Sequence, residues 1–295
     1  MRFRHSRTSR RQPLDLAAIA MAPIGVALVF LAQSVAGIPA RALLQVEAAL
    51  IVFGGTAAAL LMTYTPRDLW AAVRATLDAF RTCRSDLDAL AASLMGFALK
   101  AHRRGLVSLD ADVEDVAEPF LRDGLAFAID EPSDAMVREI LAIESTSRAA
   151  DEEAPARVLE AAAGYAPTLG ILGAVLGLIQ MMRTVGAASG LGQGIAVAFI
   201  ATVYGVGVAN LVLLPLAGRL RERAAQAARR RELMTVGICA IHARLHPRIV
   251  AQKLRSCGVD PRAVDADRSV RTADVGLDAI GFVASGSGER GEVPA

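Results

Sequence analysis

The sequence alternates between long windows without a formal charge and stretches crowded with Arg, Asp and Glu. Four windows lack Asp, Glu, Lys and Arg: 16–40, 48–66, 161–182 and 184–218. A helix crosses a bilayer core of about 30 Å with roughly 20 apolar residues. The first three windows each match one crossing. The fourth is too long for one. Its opening, 184–193, is rich in Gly, Ser and Ala and reads as a loop, which leaves 194–218 as the span. The fold class that follows is all-α: a four-span helical integral membrane protein with a helical cytoplasmic domain. Hydrophobic residues make up 54% of the chain and aromatics only 4%, which excludes a disordered chain or a disulfide scaffold.

Orientation follows from Lys and Arg beside the spans. Arg2, Arg4, Arg7, Arg10 and Arg11 precede span one, and Arg67 and Arg74 follow span two. Arg148 and Arg157 precede span three, and Arg219, Arg221 and Arg223 follow span four. The two short opposite connections hold one Arg each, Arg41 and Arg183. Both termini and the middle region are therefore expected on the cytoplasmic side. The predicted organisation is a basic N-terminus over 1–13, spans one and two within 14–66, and a cytoplasmic helical domain over 67–160. Spans three and four follow within 161–218, then a cytoplasmic C-terminal helix over 219–257. The tail, 258–295, has little periodicity and reads as disordered. An export signal around Arg10-Arg11 is the competing reading of the first segment. Three further spans make it unnecessary.

Pro66-Arg67-Asp68 is a helix start, and Leu69, Val73, Leu77 and Phe80 continue at helical spacing. Leu87, Leu90, Leu94 and Phe97 carry a second helix up to Gly105. Shorter helices are predicted over 112–128 and 133–147, and an Arg-rich one over 219–245. Cys83, Cys239 and Cys257 fit no zinc spacing and read as free, partly buried thiols. His242 and His246 sit four apart in the last of these helices, which Pro247 should end. No zinc-protease Glu follows His242. No phosphate loop, dinucleotide motif or nucleophile elbow occurs, so no cofactor is expected and an enzyme is disfavoured. The net charge of +2 gives no bulk field for nucleic acid.

The spans carry no carboxylate, Lys, Arg or His, so the chain cannot relay a proton through the bilayer on its own side chains. Polar groups are sparse: Thr168 and Gln180 in span three, and Thr202, Tyr204 and Asn210 in span four. Pro167 and Pro215 each free a backbone carbonyl. Small residues fall on one face of each helix: Gly170, Ala174 and Gly177 with Met181 in span three, and Ala198, Thr202, Gly205 and Ala209 in span four. Such faces allow close helix approach. Two readings stand side by side: packing of the chain's own spans, or a groove for a partner's helix.

These spans resemble those of the bacterial flagellar stator A subunits, the MotA/PomA class within the MotA/TolQ/ExbB superfamily. Span three has Ala166-Pro167 followed by Gly170, Gly173 and Gly177, and span four has Thr202, Tyr204-Gly205, Asn210 and Pro215 in order. Weaker matches are Phe53-Gly54-Gly55-Thr56, Arg104-Gly105-Leu106 and His246-Pro247-Arg248. The resemblance covers roughly 14–253. It implies a multi-pass protein of the bacterial inner membrane, in which five A subunits surround two helices of a B subunit. That B subunit has one span and a peptidoglycan-binding domain, and it supplies the Asp that carries the coupling ion. Ion passage would turn the ring against the rotor switch protein and drive motility. Pro167, Ala174, Thr202, Tyr204 and Pro215 map to the ion pathway, and Gly170, Gly177, Ala198 and Gly205 to packing of the B-subunit helix. Ala174 stands where sodium-driven members carry Thr, so a proton is the expected ion.

The family's rotor-contacting Arg and Glu, eight residues apart, align with His102 and Asp110. The rotor patch is therefore expected at His102, Arg103, Arg104 and Asp110. Within the superfamily the alternative is an ExbB/TolQ-like energiser of outer-membrane processes. Such proteins have three spans and a large loop after the first, which disfavours it. From another class, the alternative is a non-conducting membrane scaffold or a transporter half.

Overall fold

The computed structural model describes residues 44–80, 87–183, 188–260 and 262, and side-chain surroundings for all of these but 188–193. The expected first span, Cys83 and nearly all of the expected tail lie outside the described residues. Among the described residues the regular structure is entirely helical. The helices are α1 (Val46–Thr63), α2 (Pro66–Asp78), α3 (Leu87–Arg104), α4 (Asp110–Val113), α5 (Pro119–Asp130), α6 (Asp134–Arg183), α7 (188–242) and α8 (Pro247–Ser256). A 3-10 turn, Leu106–Leu109, joins α3 to α4.

The long helices correct the predicted boundaries. The expected short helix at 133–147 is the beginning of α6, which continues into span three without a break. No glycine falls between Asp134 and Gly164, and Ala149, Ala150, Ala154 and Ala156 are strong helix formers. Pro155 and Pro167 are both accommodated inside α6. The loop expected through 193 is helical from Ala188 onward. A glycine costs a helix only about 1 kcal/mol, less than the apolar run behind it contributes. In α7 the turn Ala209–Leu213 widens to a π-helix, with the Leu214 N–H donating to the Ala209 carbonyl. Pro215 follows directly, and the wider turn makes room for a ring that clashes in a regular helix. A second π turn, Leu50–Gly54, lies in α1.

The described residues of Met1–Arg84 and Ala149–Ala225 form one compact unit, and those of Ser85–Arg148 and Gln226–Ala295 form another. The contiguous domain expected over 67–160 is thus divided. Its first helix, α2, groups with the spans, while the C-terminal helix groups with 85–148.

In the first unit, candidate spans lie in α1, α6 and α7. Ala48, Val52, Ala163, Ala166, Val197, Ile200, Ala201 and Ala209 form its buried centre. The apolar windows bury only 17% of α1 and 33% of α6 and α7 within the chain. Ile171, Val175, Phe199 and Val203 face outward. This is the pattern of helices solvated by lipid or by neighbouring helices, not of a soluble core.

α2 begins on a capping box. Thr65 Oγ1 accepts from the Asp68 N–H at 3.3 Å, and an Asp68 carboxylate oxygen accepts from the Thr65 N–H at 3.2 Å. The helical period is as read, but the packed edge is a different one. Ala72 and Ala79 are buried, Ala79 against Ala156 and Leu220, whereas Val73, Leu77 and Trp70 stay exposed. Alanines allow the closer approach. Arg219 lies 5.7 Å from the Phe80 ring, Arg221 pairs with Glu160, and Arg223 donates to the Asp78 carbonyl at 2.6 Å.

The second unit has an ordinary aliphatic core. Leu94, Met95, Leu109, Phe120, Leu125, Leu141, Leu233, Met234, Ile238, Ile241 and Leu254 are almost wholly enclosed. Gly105 ends α3 with φ +84°, a conformation that glycine takes without strain. α7 ends at His242, and Pro247 opens α8 at its first turn, so Pro247 starts a helix where the sequence predicted an end. His242 is buried: Nδ1 lies 2.8 Å from the Ala128 carbonyl and Nε2 lies 3.0 Å from the Asp134 carboxylate. Its ring joins the end of α7, the end of α5 and the start of α6.

His242→Ala is expected to destabilise this unit by about 1–3 kcal/mol, because the enclosed Ala128 carbonyl loses its donor. Asp134→Ala, at an exposed carboxylate, should cost less than about 1 kcal/mol. Thermal unfolding of the detergent-solubilised protein checks the order, and equal losses would contradict it.

Candidate functional site

Within the first unit, α6 and α7 approach to backbone contact. A Cβ at Gly205 would lie 2.5 Å from the Ala166 carbonyl oxygen and 3.1 Å from Pro167 Cα. One at Gly170 would meet the Ala201 oxygen at 2.9 Å and the Cα atoms of Gly205 and Thr202 at 3.4 Å. At Gly177 it would meet the Ala198 nitrogen and the Gly194 oxygen, both at 2.9 Å. Gly170, Gly177, Ala198 and Gly205 are therefore brought together, but by the chain's own two helices. Of the two readings that small residues allow, packing between spans describes this contact. Gly173 adds a contact with α1, since a Cβ there would lie 3.4 Å from Ile51 Cγ2.

The sparse polar groups of the spans are mostly bonded locally. Thr202, half-buried, donates through Oγ1 to the Ala198 carbonyl at 3.3 Å. Thr168 donates to the Tyr165 carbonyl at 2.8 Å, and Asn210 Nδ2 to the Val206 carbonyl at 2.9 Å. These bonds satisfy the hydroxyl or amide within its own helix and leave oxygen lone pairs for water. Tyr204 reaches across: its hydroxyl accepts from the Gln45 N–H at 3.4 Å, and its ring lies 5.8 Å from that of Phe53. Ala174 is half-buried on α6, Pro167 lines the contact with Gly205, and Pro215 is exposed just past the wide turn of α7. Sequence reasoning missed both π turns, since no residue pattern marks them apart from the proline after the second. It also missed Ala201, the enclosed residue that receives Gly170 and Gly173.

In the second unit, His102, Arg103 and Arg104 form the exposed last turn of α3, and Asp110 is exposed at the start of α4. Lys100 pairs with Asp112 at 2.5 Å. The sequence did not foretell that His102 meets His246 edge-to-face, with ring centroids 5.4 Å apart. Cys239 and Cys257 are free thiols, and burial is the first cause holding both above the usual thiol range. At Cys239 the Asp134 charge adds to the rise, while Arg138 and Lys253 oppose it. Neutral thiols suit a packing role and not a reactive one. Among the described residues no three His, Cys, Asp or Glu are grouped to hold a metal.

The described helices define a multi-pass α-helical membrane protein whose spans pack through glycine and hold no carboxylate, Lys, Arg or His between 48 and 66, 161 and 182, or 194 and 218. Residues 112–233 match the model of the MotA/TolQ/ExbB proton channel family. Motility protein A of Bacillus subtilis (strain 168) is 31% identical over 240 residues, spanning 78% of this chain and 87% of that protein. The solved flagellar MotAB stator complex from Bacillus subtilis matches with a TM-score of 0.72 at 29% identity, covering 82% of this chain and 94% of the other. The C. jejuni MotAB structure shares the fold, with a TM-score of 0.75 at 23% identity over 83% of this chain and 96% of its own. The chain belongs to the MotA/TolQ/ExbB proton channel family.

Gly205→Ala should force α6 and α7 apart, because its methyl group meets backbone that cannot rotate away. Overpacking of this kind costs about 1–3 kcal/mol. Gly207→Ala, with nothing within 4 Å of its Cβ position, is the control. Membrane yield and thermal unfolding should drop for the first substitution and stay level for the second.

Proposed function

We propose that the chain is the ion-conducting A subunit of a bacterial flagellar stator, coupling inward proton flow to torque on the rotor. The carrying observation is a set of tightly packed spans with no carboxylate, Lys, Arg or His, in a member of a proton channel family. Such a chain needs a carboxylate from elsewhere, and a B subunit with one span and a peptidoglycan-binding domain would supply it. One solved relative is itself a MotAB stator complex, and a curated relative matched over 78% of the chain is a motility protein. Both favour this reading over an ExbB/TolQ-like energiser or a non-conducting scaffold.

In this reading the protein sits in the bacterial inner membrane with both termini and the second unit on the cytoplasmic side. Five copies surround two B-subunit helices. The outward apolar faces of α1, α6 and α7 support assembly, since a lone chain leaves them uncovered. Thr202, Ala174, Pro167, Tyr204 and Pro215 would border the ion path. Thr202 and the backbone groups of the wide turn would order water beside the partner's Asp. A proton needs one carboxylate and a water chain, whereas sodium needs several oxygens to replace its hydration shell. Ala174 offers none, so the proton is the favoured ion. The family is one of channels, and no catalytic role is assigned.

Native mass spectrometry of the co-purified complex should give five A chains with two B chains. A stable monomer or dimer bound to B would contradict the ring. Swimming speed at fixed proton-motive force should be unchanged when potassium replaces sodium, and strict sodium dependence would overturn the assignment of the ion. Thr202→Ala should lower flux and motility, and wild-type motility for that variant would favour the scaffold.

A further inference from the structure

Three helix ends of the second unit meet on one imidazole. His242 is the last residue of α7, and its side chain is only 6% accessible. Nδ1 lies 2.8 Å from the carbonyl of Ala128, in the last turn of α5. Nε2 lies 3.0 Å from the carboxylate of Asp134, the first residue of α6. Both partners are acceptors: a carbonyl has no proton to give, and neither has an ionised carboxylate. A ring that bonds both must carry hydrogen on both nitrogens, which is the imidazolium form. The neutral ring has one N–H. It bonds either Ala128 or Asp134 and turns a lone pair toward the other.

The ordinary explanation of a buried histidine is a neutral ring donating to a backbone carbonyl. That accounts for Nδ1, because Ala128 is enclosed and carbonyls at a helix end lack a partner of their own helix. It does not account for Nε2. With Nδ1 as the donor, the neutral ring sets two lone pairs face to face at 3.0 Å. The helix ends favour the charged form as well. α5 and α7 present their negative poles to the ring, where a cation is stabilised, and Asp134 stands at the positive pole of α6, where an anion is.

The other charges around the ring lie further out. Arg138, one turn into α6, and Lys253 on α8 act together with Asp134 on the Cys239 thiol, one turn before His242. Arg244 follows in the turn after α7. All three cations are exposed, so solvent and salt weaken their opposition to a charged ring. Past the end of α5, Asp130 is exposed and the Glu131 carboxylate accepts from the Ser133 N–H at 3.0 Å. Among the described residues, Asp134 is the acid that touches the ring. Its side chain is 63% accessible, which opens the Nε2 edge of an otherwise enclosed ring to protons from solvent.

We infer that His242 is a proton-binding latch: charged, it ties the end of α7 to both α5 and α6, and neutral, it releases one of the two. Histidine changes charge in the physiological range. The second bond exists only in the folded chain. Stability of this unit is therefore highest on the acid side and is lost as pH rises through the titration of the ring. In the orientation proposed above, the unit faces the cytoplasm, and the pH it reads is the one that proton entry lowers. That physiological sense rests on the proposed function, whereas the latch does not.

The test is amide exchange of the full-length protein in detergent at about pH 6 and about pH 8, corrected for the chemical exchange rate. Segment 125–137 holds the end of α5 and the start of α6. It should be about three- to fivefold better protected at the lower pH, the scale of one partly exposed ion pair. His242→Gln keeps a donor for the Ala128 carbonyl but cannot titrate, and it should remove the difference. His102 and His246 remain in that variant, so a response that belongs to them persists. Asp134→Asn, at an exposed position that leaves the fold intact, should also remove the difference, because an amide can donate to the neutral ring. Equal protection of the wild type at both pH values would overturn the inference. So would a wild-type pH response in either variant. The assay reads the purified chain, so a protein that drives no motor would defeat the proposed function and leave this result standing.

Discussion

The contact on which the membrane unit depends is backbone against backbone. Gly205 leaves its face bare where the Ala166 carbonyl and Pro167 arrive, and Gly170 and Gly177 do the same for Ala201, Ala198 and Gly194. No side chain separates the two helices at these points, so their separation and register are set within tenths of an ångström. In a bilayer this matters more than in water, because lipid gives apolar helices no hydrophobic reason to associate. With α6 and α7 locked in this way, several of their larger apolar residues lie on the faces turned away from the contact. The exposed Ile171, Val175, Phe199 and Val203 follow from the glycine contact and not from poor packing.

The same spans are chemically quiet. Thr168, Thr202 and Asn210 donate to carbonyls of their own helices, and the windows 161–182 and 194–218 hold no carboxylate, Lys, Arg or His. Intramembrane charge is costly and is kept where ions move. In the function proposed above, such a subunit is a wall, and the group that binds the ion enters on another chain. The wide turn before Pro215 fits that role. It keeps a helix continuous through a proline while altering the local pattern of backbone bonds.

Much of the fold was legible because membrane spans are coded by composition over a long window. Windows 161–182 and 194–218, and window 48–66 as far as Thr63, lie on helices that the structure contains. The start of α2 at Pro66 and the stop of α3 at Gly105 were legible too, since each rests on one residue with a fixed backbone preference. Continuity was not. α6 runs through Pro155 and Pro167, because a proline is a local penalty and fifty residues of helix are a collective gain. The packed edge of α2 was not legible for a related reason: Leu77 and Val73 give the period, but Ala72 and Ala79 give the close approach. In the site, the small-residue faces were visible, while which of the chain's own helices meet on them needed coordinates. His102 beside His246 joins residues far apart in sequence, and no local pattern encodes such a pairing.

The central claim is that this chain shapes a proton path but cannot carry the proton alone. Reconstitution of the purified chain into liposomes with an internal pH dye, with and without its one-span partner, tests it directly. The account predicts acidification under an imposed potential only when both proteins are present, and its loss when the partner's intramembrane Asp is replaced by Asn. Proton flux of similar size from the chain alone would contradict it.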